Sequence, residues 1–296
     1  MKIYINDKPA DITLDNEKTL GDVMAGIEQW IFPSGNRIQE IIIDGKKVHS
    51  DSLEDSFSFG IESMERLDIQ ISPWRELAAE ALGDLYETCV LFKNAAFNER
   101  PQIFSSWQNS YAGRFLASEI PDIYGLASLT MTGEGLSPSE LYSIIEERLR
   151  EIVTPEKEID SIEGAILATA ERMEQLPLDM QTGKDRRADE TIHIFSGIGE
   201  KLFRLFSIYK SYGNLPETLT IDGQKLKSFI EEFNTALREL SLAYENRDTV
   251  LAGDISEYEL APRLVKLFTA LKGIKKPESP ALQEPLLSDN INRGIK

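Results

Sequence analysis

The chain has 296 residues, with 50 Asp and Glu against 32 Lys and Arg, a formal charge of -18, and a single cysteine. The charge argues against a nucleic-acid partner, whose phosphates select basic residues, and against docking on anionic membranes. Cys89 cannot close an internal disulfide, no apolar stretch approaches the ~20 residues that cross a bilayer, and no secretory pattern opens the chain, so a cytoplasmic protein of about two domains is expected.

The first 72 residues have strand periodicity. Ile3 and Ile5 alternate with Lys2 and Tyr4, Asn6-Asp7 supplies a turn, and Ile12 and Leu14 continue the alternation. Thr19 then caps a helix whose Leu20, Val23, Ile27 and Ile31 share one face, ended by Pro33 and Gly35. Ile41 to Ile43, the turn Asp44-Gly45, the short Lys46 to Val48 and an alternating strand through Leu67, Ile69 and Ile71 complete a two-layer α+β domain.

The stretches Met1 to Ile5, Thr19 to Ile27, Ile41 to Val48 and Ser52 to Ile71 resemble the ubiquitin-like β-grasp superfamily, over about a quarter of the chain. The modifiers of that family end in a free diglycine, whereas Ile71 here runs through Ser72-Pro73 into a helix, so the resemblance does not extend to conjugation chemistry. It does imply a recognition patch on the outward sheet face, here Tyr4, Ile42, Asp68 and Gln70, which serves either a partner protein or packing against the chain's own helices.

From Pro73 to Lys272 the period becomes 3.6 and six or seven helices are expected, as one or two bundles. Pro73 to Asn94 is the first. An aromatic segment with Phe104, Trp107, Tyr111 and Phe115 follows, interrupted at Pro121 and Gly125, and Thr130 to Ser137 reads as a loop. Ser137-Pro138-Ser139-Glu140 is a capping box, and Thr154-Pro155 opens the next helix, which lasts until Pro177. Ile192, Phe195, Ile198, Leu202, Phe206 and Tyr209 mark another, with Gly197 and Gly199 as points of close helix approach.

The longest apolar series is Leu226, Ile230, Phe233, Leu237, Leu240, Tyr244, Leu251, Tyr258, Ala261, Val265 and Phe268. Asn246, Asp248 and Pro262 divide it into a hairpin, with arms from about Asp222 to Tyr244 and from about Asp248 to Lys272, kinked before Pro262. Arg247 and Asp254 lie in the same series, which predicts a buried ion pair setting helix register. With Asp248, Glu257 and Glu259 they also form the densest polar cluster. Beyond Gly273, Pro277, Pro280 and Pro285 among polar residues predict a disordered tail over 273–296.

Little in the sequence points to catalysis. His49 and His193 are the two histidines, and Glu190-Thr-Ile-His193, although spaced like half of a di-iron carboxylate site, has no second such motif. Thr182-Gly-Lys-Asp185 lacks the first glycine and the Ser or Thr of a phosphate loop. No cofactor is implied. The segments QTGKD (181–185) and DTVLAGDISEYEL (248–260) resemble uncharacterised bacterial proteins. Three readings stay open: an adaptor or scaffold working by protein-protein contact, a metal- or carboxylate-dependent enzyme using the Arg247 to Glu259 cluster, and a protein that self-assembles through the Leu226 to Phe268 seam.

Overall fold

The computed structural model describes residues 1–10, 12, 14, 16–48, 56–213, 215–216 and 218–274. His49, the start of the last β-grasp-like stretch at Ser52, and the tail from residue 275 lie outside the described residues. The fold is α+β: a five-stranded mixed sheet followed by a mostly helical body.

The sheet comprises β1 (Lys2–Ile5), β2 (Lys8–Pro9), β3 (Asn36–Ile43), β4 (Lys46–Lys47) and β5 (Arg66–Pro73), in the order β2-β1-β5-β3-β4. β1 and β5 are parallel and every other pair is antiparallel. Both hairpins close on two-residue turns with positive φ at each position, Asn6-Asp7 (47° and 64°) and Asp44-Gly45 (48° and 79°), the twist that two-residue hairpins favour. Helix α1 (Leu20–Ile31) begins with a closed capping box. The Thr19 side chain accepts from the Asp22 amide, and the Asp22 carboxylate accepts from the Thr19 amide. Its Leu20, Val23, Met24, Ile27 and Ile31 are buried with Ile3, Ile41, Leu67 and Ile69 of the sheet, each contributing about 1.5–3 kcal/mol of apolar transfer.

The helical body contains α2 (Trp74–Asn94), α3 (Arg100–Gln108), α4 (Tyr111–Glu119), α5 (Pro121–Thr132), α6 (Pro138–Val153), α7 (Pro155–Glu174), α8 (Leu176–Gln181), α9 (Asp185–Ser211), α10 (Leu226–Glu245), α11 (Thr249–Asp254) and α12 (Ala261–Lys272). The body is more finely divided than the periodicity predicts, for a common reason. Pro101, Pro121 and Pro177 sit in the first turn of a helix, where their missing amide costs nothing, so they start helices that a reading of proline as a breaker leaves out. Ser110 likewise caps α4 by accepting from the Gly113 amide, which splits the aromatic segment into two helices. Gly125 lies inside α5 without interrupting it.

Two compact units result. The first is Met1–Val153 with Ser211–Gly213, so the sheet and helices α2 to α6 belong to one unit. Here α2 packs between α4 and α6. The Tyr212 ring lies 6.1 Å from that of Trp74, and Gly35, at φ 75°, leaves no room for a side chain because a Cβ there would stand 2.4 Å from the Tyr212 carbonyl oxygen. The second unit is Thr154–Lys210 with the described residues after Gly213. In it α12 runs along α7. Phe233 of α10 stacks on Phe195 of α9 at 5.5 Å, and Gly199 lets that ring approach, its absent Cβ being 3.4 Å from it. A strand pair unforeseen in the sequence, β6 (Thr220–Ile221) and β7 (Gln224–Lys225), closes on Asp222-Gly223, both with positive φ, so α10 starts at Leu226 and not near Asp222.

The hairpin itself forms, turning at Asn246 to Asp248, but its buried face is offset from the predicted seam. On α10 the buried residues are Phe229, Phe233, Ala236, Leu240 and Ala243, whereas Leu226, Ile230, Leu237 and Tyr244 are half-buried. Small alanines facing neighbouring helices allow close approach, and a search for large apolar residues passes over them. On the second arm a π-helical turn over Ile255–Leu260 adds a residue to the period just before Pro262. Leu251 and Tyr258 consequently face outward at 47% and 68% exposure.

Candidate protein-binding face

Strand register gathers all four residues of the predicted recognition patch. Tyr4, Asp68 and Ile42 are consecutive partners across β1, β5 and β3, and Gln70 pairs with Glu40 one step along. Ile3, Ile41, Leu67 and Ile69 point to α1, so the patch lies on the opposite face. Its chemistry is more polar than its residue types suggest. Arg66 makes two hydrogen bonds to the Asp68 carboxylate, at 2.7 and 2.6 Å, and lays its guanidinium 4.0 Å from the Tyr4 ring centre. Asp68 is therefore buried at 6% exposure and Tyr4 is capped by its own neighbour. Lys47 and Glu40 pair at 2.6 Å beside the half-buried Ile42.

Next to this face lies a groove of about 740 Å³ in which β3 is one wall, α4 the other, and the end of α1 a third side. Gln70, Glu40 and Lys47 of the sheet open into it together with Ile38, Phe32, Tyr111 and Phe115. Among the described residues, β3 is paired on its outer side only at Ile41 to Ile43, where β4 and the Val48 amide reach it, and the stretch from Asn36 to Glu40 is bordered by the groove.

One end of the groove is built by a side-chain network that no sequence motif announces. The Glu119 carboxylate accepts from Arg37 Nε at 3.0 Å and from the indole Nε1 of Trp74 at 2.8 Å. The Arg37 guanidinium also donates to the Asn36 carbonyl and covers the Phe32 ring at 3.6 Å. These four side chains fix α4 against the start of β3 and the start of α2. Local spacing carries no trace of this network, since Arg37 and Glu119 are 82 residues apart.

The second predicted cluster is not assembled as a buried site. Arg247 and Asp254 are both exposed, Arg247 in the turn itself with φ 57°, which corrects the expected buried register pair. The reason is the chain reversal: a heptad-like count across residues 246–248 joins positions that the turn separates. Asp248 caps α11 by accepting from the Leu251 amide at 3.0 Å, Glu259 is held by Arg263 at 2.7 Å, and Arg263 also reaches Glu232 at 3.3 Å. The half-buried Glu257 carboxylate beside Tyr258, more than Asp254, raises the pKa of that phenol. His193 is exposed, and Glu190 pairs with Arg186 at 3.3 Å. Lys184 of the TGKD segment pairs with the buried Asp179 at 3.5 Å, a structural role in joining α8 to α9. Among the described residues no three His, Cys, Asp or Glu side chains converge as a metal site, and no helix is long and apolar enough to cross a membrane.

Comparison with known proteins divides the chain in a similar way. A family model described as the TP0873 N-terminal domain matches residues 1–73, ending where β5 ends. A model described as a domain of unknown function (DUF8042) matches residues 158–270, which run through the second unit. A bacterial protein of Treponema pallidum (strain Nichols), named only as an uncharacterized protein, is 26% identical over 147 residues, covering 46% of this chain and 73% of its own length. No solved structure matches the chain.

Proposed function

We propose that the protein is a non-enzymatic adaptor, with a β-grasp module at its N-terminus that recruits a partner protein through the groove beside β3. A hairpin, a crossing helix and a last strand returning parallel to the first between β1 and β3 are the arrangement that the β-grasp resemblance implies. The observation that carries the reading is the edge of β3 from Asn36 to Glu40 opening into a groove with apolar walls at Ile38, Phe32 and Phe115. A strand edge presents backbone donors and acceptors to an extended segment, and flanking pockets then select its alternate side chains. A cytoplasmic setting goes with this reading.

The other two readings have less support. The carboxylates of the Arg247 to Glu259 cluster are divided among a helix cap, an ion pair and a tyrosine contact. Self-assembly through the Leu226 to Phe268 seam would have to use a series whose Phe233, Leu240, Ala261 and Phe268 are already buried within the chain.

Affinity capture from the source cells tests the proposal, comparing the full chain with Ile42→Glu and with Ser118→Trp, which fills the groove from an exposed position on α4. The expected result is a partner held by the wild type, lost with Ser118→Trp and weakened with Ile42→Glu, all three proteins having the same circular dichroism. Capture indifferent to both substitutions would overturn the assignment.

A further inference from the structure

The second arm of the hairpin buries Ala252, Gly253, Ile255, Ser256 and Leu260 and turns a different set outward. Val250, Leu251 and Tyr258 are 69%, 47% and 68% exposed. Leu251 lies in α11 and Tyr258 in the π-helical turn that follows it, and both are exposed on the arm's outward side. Asp254 lies between them, exposed, and half-buried Glu257 adjoins Tyr258. Single exposed apolar residues are ordinary, but three on one short face, interleaved with carboxylates, make a surface of defined chemistry.

We propose that this outward face, Val250, Leu251, Asp254, Glu257 and Tyr258, docks a basic amphipathic helix of a partner protein. The proposal is independent of the groove beside β3, since all five residues belong to the other unit. Two features specify the occupant. The face is helical, so its backbone amides are already spent within the arm and cannot pair with an added strand; its outward side chains instead suit a second helix laid against them. The charges are acidic, so an apolar stripe flanked by Lys and Arg complements Asp254 and Glu257. A second copy of this chain, at -18, brings like charge to the same place, and an anionic bilayer does so too.

The test uses the full chain and a fluorescein-labelled peptide of about 18 residues, five helical turns, with leucine on one face and lysine on the other, read by anisotropy. A scrambled peptide of the same composition is the control. The expected result is binding of the amphipathic peptide at least about tenfold tighter than the scrambled one. Leu251→Ser with Tyr258→Ser, and separately Asp254→Lys with Glu257→Lys, should each weaken it about tenfold or more. Leu167→Ser, at an exposed apolar residue elsewhere in the same unit, should leave it unchanged. Equal binding of the two peptides, or wild-type affinity in both double variants, would overturn the proposal. Loss of binding with Ile42→Glu, capture of neutral phosphatidylcholine vesicles in place of the peptide, or a dimer in sedimentation that Leu251→Ser dissolves would each reassign the face and overturn it as well.

Discussion

Glu119 has the most consequential side chain in the first unit, because a single carboxylate holds Arg37 of β3 and the indole of Trp74 at once. Its side chain is 19% exposed and that of Arg37 10%, so deleting the carboxylate strands a largely buried guanidinium. Glu119→Ala is expected to cost about 2–3 kcal/mol, read as a lower urea midpoint with unchanged slope. Glu119→Gln, whose single amide oxygen can keep one of the two donors but not both, should cost less than alanine. Cys89 gives a second test at this scale. It is buried in α2 and its thiol is pushed up to about 12 by that burial. The thiolate is the reactive form, so Cys89 should ignore a disulfide exchange reagent at pH 8 in the native protein and react at once in denaturant. Fast labelling of the native state would contradict the packing of α2. Neither feature is legible locally: the Glu119 network joins residues 82 and 45 positions apart, and the burial of Cys89 depends on which helices cover it.

Among the elements, boundaries defined by a chemical signal were readable and those defined by geometry alone were not. The cap at Thr19, the capping box at Ser137, the turns at Asn6-Asp7 and Asp44-Gly45, and the strand alternation at Ile3 to Ile5 and Leu67 to Ile71 all act within a few residues and are present, whereas the alternation read on to Ile12 and Leu14 is not strand at those two residues. Pro101, Pro121 and Pro177 start helices that no side-chain cap announces, and the extra residue of the π-helical turn has no signature in the spacing, so the count of helices and the phase of the hairpin's buried face were out of reach. The caps also carry a pH signature. The Asp22 carboxylate is held below its ordinary pKa by the amides of Lys18 and Thr19, and Glu140 by the hydroxyl and amide of Ser137. A carboxylate with a lowered folded-state pKa adds stability above its unfolded pKa, and that contribution is lost as pH falls through the folded value. Asp22→Ala should therefore lower stability at neutral pH, and the gap to wild type should narrow in acid, below about pH 4. A gap unchanged down to pH 2 would remove Asp22 from the account.

For the whole molecule, composition and patterning conveyed an α+β chain with a small sheet at its start and helices after it, and the β-grasp resemblance pointed to Tyr4, Ile42, Asp68 and Gln70, which strand register brings to one face. What sequence could not convey is the groove beside that face, because its second wall is α4, some seventy residues downstream and fixed by Glu119. The account rests on that groove receiving an extended segment of another protein along β3. A photo-crosslinking residue placed at Gln39, exposed on the β3 edge, addresses it directly in living source cells. The account predicts a covalent adduct with one partner whose crosslinked residues fall in a short extended segment, and no such adduct when Ser118→Trp is added. A crosslink confined to the chain itself, or an adduct unchanged by Ser118→Trp, would contradict it.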